Sequence, residues 1–430
     1  MRAGEINAII YTNRGVMEID EKIIGAQGET SAQEKNEQLK EIDEALKNFE
    51  TSEAEAEAKA EAEVKDEEPK KRRWILNVFL VGIIALGVVL MFRIMSEFNE
   101  THKSLWDILY DTDALFAILT LSALVVILVA ETMKYSVIFR AVTGKFHILT
   151  SLRTMFLGKY YDNITPFSTG GQPMQIYYLC RKGFYGGISG AIIMIKYFAN
   201  TFIWVIIAGV LMALKSSALD GLGGGVALKV FAWIGWGINM LIPASVVLFV
   251  ILPKFAYALA KGVVFIGEKM KIVKDKEQAL AKATKVVTDF KASFQIMIKR
   301  PKMLALLLLL CVVEISLTFA FPYFVVKTFA GGELGIAETG IGTVLTVMAL
   351  NAFTAFAVSM VPTPGNSGVW EGASSLAFRA IASSAWVLFM WRFFVYYIYI
   401  IIGFGITVYE FIKILCQRKK ITSKGQRIKK

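Results

Sequence analysis

The sequence predicts an all-α polytopic membrane protein with six full spans plus two re-entrant helical hairpins, or eight spans, in an inverted-repeat architecture. Three observations predict it. From Trp74 onward, apolar runs alternate with short polar connectors, and each run of about 20 residues matches a hydrocarbon core about 30 Å thick. The connectors alternate between basic and acidic, as expected if Lys and Arg stay on the cytoplasmic side. Two segments are interrupted by Pro/Gly-rich breaks, and the arms beside the first are too short to cross.

The composition agrees. The 430 residues are 55% hydrophobic and 12% aromatic, with mean hydropathy +0.52, beyond what a soluble core needs. The net charge of +11 hides two opposed regions: residues 1–69 hold 8 Lys/Arg against 19 Asp/Glu, and residues 70–430 hold 39 against 17. The basic part reads as membrane topology and contact with anionic headgroups, because no nucleic-acid motif accompanies it. Cys180, Cys311 and Cys416 are far apart and His102 and His147 are the two histidines, so a His/Cys metal site and His-based acid–base catalysis are not expected. No cofactor is expected.

Residues 1–73 read as a cytoplasmic acidic tail, largely disordered, ending in a basic cluster. The stretch 29–69, dominated by Glu, Ala and Lys, has too little apolar surface to offset its ordering entropy. Met17 is an alternative natural start. Lys70, Lys71, Arg72 and Arg73 fix the amino end of the first span, roughly 74–95, in the cytoplasm. The connector 96–113 carries five acids against Lys103 and is expected outside. Further spans are predicted at roughly 114–139, 187–213, 228–252, 303–327 and 385–413. Residues 254–302, with 12 Lys/Arg against 4 Asp/Glu, form a cytoplasmic insert. Its stripe of Leu280, Ala283, Val287, Phe290, Phe294 and Met297 suits an amphipathic helix. The basic tail 418–430 places the carboxy terminus in the cytoplasm.

The first break lies in the re-entrant motif 149–182, which contains KYYDNITPFSTGGQPMQIYYLCRKG and has cations on both flanks. The second lies in the motif 338–384, around SMVPTPGNSGVWEGASS. Each half of the transmembrane domain 74–417 then reads span, span, hairpin, span, and three crossings per half set the halves in opposite orientations. In hydrocarbon, broken backbone survives only where it is buried in protein or lines a polar cavity, and its freed amides can hold an anion or polar headgroup. Charges near the bilayer are Glu131, Lys134, Lys159, Asp162, Lys196, Glu314, Glu371, Arg379 and Arg392. Lys134 and Lys159 have snorkelling to the interface as an alternative; Lys196, Glu314, Arg379 and Arg392 lie closer to run centres, with Glu131 and Glu314 as counter-charges.

At these breaks the chain resembles the lysylphosphatidylglycerol synthase transmembrane region, also called flippase-like membrane proteins. Asn163, Pro166, Gly170, Gly171, Gln172 and Gln175 carry the first motif, and Pro362, Pro364, Gly365, Gly368 and Glu371 the second. Many members have an acid and an arginine where this chain has Gln172 and Gln175. The resemblance to multiple peptide resistance factors implies movement of aminoacylated phosphatidylglycerol between leaflets. No counterpart of their lysyl-transferring domain is expected in the short stretch after the last span. Three functions follow as expectations: a lipid flippase or scramblase-like transporter, an aminoacyl-phospholipid synthase, and a membrane scaffold for a separate synthase. For the first, Pro166, Gly170, Gly171, Pro364, Gly365 and Gly368 open the backbone, with Pro362 beside them in the second motif. Asn163, Gln172, Gln175 and Glu371 contact the headgroup, and Arg153, Lys196, Arg379 and Arg392 attract phosphate. The expected partner is a membrane phospholipid in the cell membrane; a homo-oligomer is compatible with the sequence.

Overall fold

The computed structural model describes residues 10–12, 15–17, 105–110, 112–184, 186–220, 223–251, 297–329, 340–361, 363–378 and 385–428, with isolated positions between 258 and 284. The predicted first span at 74–95, most of the insert 254–302, Pro362 and Arg379 lie outside them. The chain divides into two units, Met1–Gly82 and Ile83–Lys430. In the first, β1 (Ile10–Thr12) and β2 (Gly15–Met17) pair antiparallel, with Tyr11 opposite Val16. This small hairpin departs from the all-α expectation.

The second unit is helical among its described residues. Its elements are α1 (Leu105–Tyr110), α2 (Ala114–Thr143), α3 (Ile148–Ile164), α4 (Gly171–Arg181), α5 (Gly186–Leu214) and α6 (Gly225–Ile251). Then follow α7 (Pro301–Phe329), α8 (Ile341–Val358), α9 (Val369–Phe378), α10 (Ala385–Arg392) and α11 (Ile398–Ile428). A π-turn at Phe393–Tyr397 joins the last two. Asp113 caps α2 by accepting hydrogen bonds from the backbone N–H of Leu115 and Phe116, and Gly144 ends it in a left-handed conformation.

Five stretches among the described residues are long and apolar enough to cross a membrane: Ala114–Thr143, Gly186–Leu214, Pro301–Phe329, Ile341–Val358 and Trp386–Lys413. The span predicted at 228–252 is helical as α6, whose apolar part runs over Gly225–Leu241. The first break matches its expectation in length, since the 17 residues of α3 and 11 of α4 reach only about 25 Å and 16 Å. The second is unequal. With 18 residues of high hydropathy, α8 has the length of a crossing, whereas α9 has 10 residues.

Helices α2 and α7 form the most extensive pair and run antiparallel. Thr120 Oγ1 lies 2.9 Å from Thr328 Oγ1 near one end, and Lys134 Nζ lies 3.2 Å from Glu314 Oε2 further along. The core is rich in aromatic rings: Phe139 of α2, Phe319 and Phe321 of α7, Phe353 and Phe356 of α8 and Phe378 of α9 are fully buried. Trp204 packs on Phe319 with ring centroids 4.5 Å apart, and Trp236 Nε1 donates to the Val205 carbonyl at 2.8 Å, tying α5 to α6. Of the amphipathic stripe predicted at 280–297, Met297 is buried.

Helix α6 approaches α8 where Gly235 faces the carbonyl of Phe356, so closely that a Cβ would overlap the oxygen. A Cβ at Gly237 would meet open space. Gly235→Val is therefore expected to destabilise the protein by about 1–3 kcal/mol through forced separation of the helices. Gly237→Val should leave stability close to wild type. Thermal unfolding of both variants in detergent compares them, and equal midpoints would refute the close approach.

Candidate functional site

The two breaks are built alike. In each, a proline starts a short 3-10 turn, and the next two residues adopt left-handed backbone. Phe167 and Ser168 have φ 56° and 51° in the turn Pro166–Ser168, and Gly365 and Asn366 have φ 54° and 55° in the turn Pro364–Asn366. Proline presets the dihedral of the first position and supplies no amide donor, which stops the helix before it. The pair of left-handed residues then reverses the chain.

The turns pack against each other. Gly365 sits so close to the Tyr396 ring and to the Asn163 carbonyl that a Cβ would overlap the ring, and its φ is left-handed as well, so glycine is required on both counts. A run of hydrogen bonds joins the two breaks. Arg392 donates through one terminal nitrogen to the Gly365 carbonyl at 2.8 Å and to Ser367 Oγ at 3.3 Å. Ser367 donates to the Tyr396 hydroxyl at 3.2 Å, and Tyr396 donates to the Asn163 carbonyl at 3.2 Å. The Arg392 Nε lies 3.0 Å from Glu371 Oε1, with both side chains buried. Its guanidinium also lies over the rings of Trp370, 4.5 Å away, and Tyr396, 4.0 Å away.

The amides freed at each break are met locally. Glu371 Oε2 accepts from the Gly368 N–H at 2.6 Å. In the first break, Asp162 accepts from the Gly171 N–H at 2.8 Å, and Thr165 Oγ1 accepts from the Gly170 N–H at 2.9 Å. Gln175 is buried, donating to the Tyr135 hydroxyl at 2.8 Å and the Thr154 carbonyl at 2.9 Å. Gln172 is half-buried and makes no hydrogen bond through its side chain among the described residues.

The remaining predicted positions fall into two other clusters. Arg153 Nη1 lies 3.1 Å from Glu410 Oε1, which Lys182 also reaches at 3.0 Å, so α11 is pinned to the base of the first hairpin. Lys196 donates to Glu131 Oε1 at 2.5 Å. Glu131 also pairs with Lys134, which donates to Glu314 at 3.2 Å and to Asn200 Oδ1 at 2.5 Å. The chain Lys196–Glu131–Lys134–Glu314 thus links α5, α2 and α7. Lys134 is fully buried, so it does not snorkel. Its two carboxylates are its counter-charges, as the sequence suggests for Glu131 and Glu314.

Ser367, Trp370, Tyr396 and Glu410 were not singled out by sequence. Tyr396 lies in the run FFVYYIYI, which reads equally as an interfacial aromatic belt, and Glu410 resembles an ordinary boundary acid. No group of three or more His, Cys, Asp or Glu suited to a metal ion occurs among the described residues.

Over residues 74–403 the chain matches the family described as Lysylphosphatidylglycerol synthase TM region, and it belongs to that family. No curated protein matches it significantly. The match and the apolar helices together make it a multi-pass membrane protein.

Removing the Lys134 ammonium would leave Glu131 and Glu314 facing each other without their shared cation. Lys134→Met is expected to cost about 3–5 kcal/mol of stability. Adding Glu314→Gln should restore part of the loss, because the two positions touch. Thermal unfolding of the single and double variants measures both, and an additive double variant would contradict the shared pairing.

Proposed function

We propose that the protein is a flippase-like transporter that moves a polar or aminoacylated phospholipid, of the lysylphosphatidylglycerol type, between leaflets of the cell membrane. The observation that supports this most is the meeting of two proline-broken turns, carrying Arg392, Glu371, Ser367 and Tyr396, within a bundle of apolar helices. Polar, non-helical backbone is costly at such depth unless protein or a polar path surrounds it. A headgroup would bind where the turns meet, with its acyl chains left in lipid. Gln172, with its amide uncommitted, and Glu371 would hydrogen-bond to it, alongside Asn163. The glycines and prolines at 166, 170, 171, 364, 365 and 368 would keep the backbone open. Gln175 would act from beneath by fixing α4 to α2 and α3.

The matched turns also support an inverted repeat, in which each half supplies one break and movement of one half against the other would expose the headgroup alternately. Both termini would then lie in the cytoplasm. Membership of a synthase-named family accords with a lipid substrate, and the transport reading takes only that much from it.

Proteoliposomes containing the purified protein and a labelled phospholipid test the reading. Wild-type protein should speed exchange between leaflets over protein-free vesicles. Gln172→Leu and Glu371→Gln should each slow it about tenfold, the effect of losing roughly one good hydrogen bond in the rate-limiting step. Thermal unfolding identifies variants that fail to fold. Wild-type rates no faster than empty vesicles, or folded variants with unchanged rates, would refute the proposal.

A further inference from the structure

A lipid headgroup brings a phosphate, and a phosphate needs a cation that is not already spent. Most cations near the breaks are spent. Arg392 is held by Glu371, Gly365 and Ser367. Arg153 and Lys182 share Glu410. Lys134 is enclosed between Glu131 and Glu314 with no exposed surface.

Lys159 is different. It lies on α3, one helical turn before Asn163, whose backbone carbonyl accepts from Tyr396 where the turns meet. No carboxylate lies within ion-pair distance of its ammonium among the described residues. Its nearest described partner is the face of the Tyr399 ring, 5.8 Å from the ammonium. Lys196, Glu131 and Glu314 are close enough to act on it electrostatically. The carboxylates Glu131 and Glu314 therefore face three lysines: 134, 159 and 196. Glu131 serves two of them, and Lys196 retains 13% exposure with its ammonium 5.0 Å from the Tyr135 ring. Asp162, the third acid of this region, caps α4 by accepting from the neutral Gly171 N–H, and its charge still acts on Lys159 and Lys196 from beyond contact distance.

Resting on the transport reading above, we propose that Lys159, with Lys196 beside it, is the phosphate-binding end of the headgroup site. The ligand class is a phosphate ester anion. Lys159 supplies an ammonium that makes no ion pair among the described residues, and Lys196 is steadied by Glu131 and Tyr135 at its side. A phosphate oxygen there accepts from the ammonium, whose donors no described carboxylate takes up, at a depth where unmet donors are costly.

Binding of three probes to purified protein in detergent tests the assignment: dihexanoylphosphatidylglycerol, its phosphate-free counterpart dihexanoylglycerol, and inorganic phosphate. Isothermal titration should show Lys159→Ala weakening the phosphatidylglycerol lipid about tenfold or more, and Lys159→Arg holding it within about threefold. Dihexanoylglycerol should not distinguish the variants. The thermal midpoint of Lys159→Ala should stay close to that of wild type, since no direct ion pair is lost. Unchanged lipid affinity in folded Lys159→Ala, or a marked fall in its midpoint, would overturn the assignment. Inorganic phosphate bound as tightly as the lipid would overturn the lipid as its source. Leaflet exchange by wild-type protein, measured in parallel, separates the two claims. Exchange without Lys159-dependent binding sinks only this inference, and Lys159-dependent binding without exchange sinks only the transport reading.

Discussion

A helix that stops inside a membrane must find partners for its freed backbone groups within the protein, and much of this architecture follows from that demand. Arg392 answers it for the second break. One guanidinium holds the Gly365 carbonyl, the Ser367 hydroxyl and the Glu371 carboxylate, and Ser367 and Tyr396 carry the linkage to the Asn163 carbonyl of the first break. A lysine could not replace it, because a point charge lacks the planar fork that reaches several acceptors together. The π-turn that follows Arg392 carries Tyr396, so the irregular backbone there sits beside the contact between the breaks.

The second organising contact is the antiparallel pair α2 and α7. Their threonines meet near one end, while Lys134 and Glu314 meet further along. Burying charge costs heavily in desolvation, and the attraction offsets it only with good geometry and full pairing. Here the alternation of lysine and glutamate across three helices meets that condition. The chain also touches the first hairpin, since Lys196 lies beside Tyr135, whose hydroxyl accepts from Gln175. Packing of the hairpin and integrity of the charge chain are thus connected through one tyrosine.

Features set by neighbouring residues were legible in the sequence. Hydropathy located α2, α5, α7 and α11, and proline with glycine located both breaks, because a missing amide and a permitted left-handed dihedral act locally. Long-range pairing was not legible. Nothing in the pattern around Lys134 says that its second carboxylate lies 180 residues away, and end-of-run position made snorkelling as reasonable as burial. The sequence left the segment before the second break as a hairpin arm or a full crossing, and the 18 residues of α8 reach the length of a crossing. Gln175 carries the family motif yet spends its amide on Tyr135 and Thr154, a commitment visible only once α2, α3 and α4 are assembled.

The two turns share dihedral angles but not residues. At the first left-handed position one has Phe167, a bulky side chain 55% exposed, where the other has Gly365. Left-handed backbone costs a side-chain-bearing residue about 1–2 kcal/mol and glycine almost nothing. The two turns are therefore alike in backbone and unequal in conformational cost, the first holding strain that the second avoids. A glycine in place of Phe167 would release that strain, and a side chain in place of Gly365 would add it to the second turn together with an overlap on the Tyr396 ring.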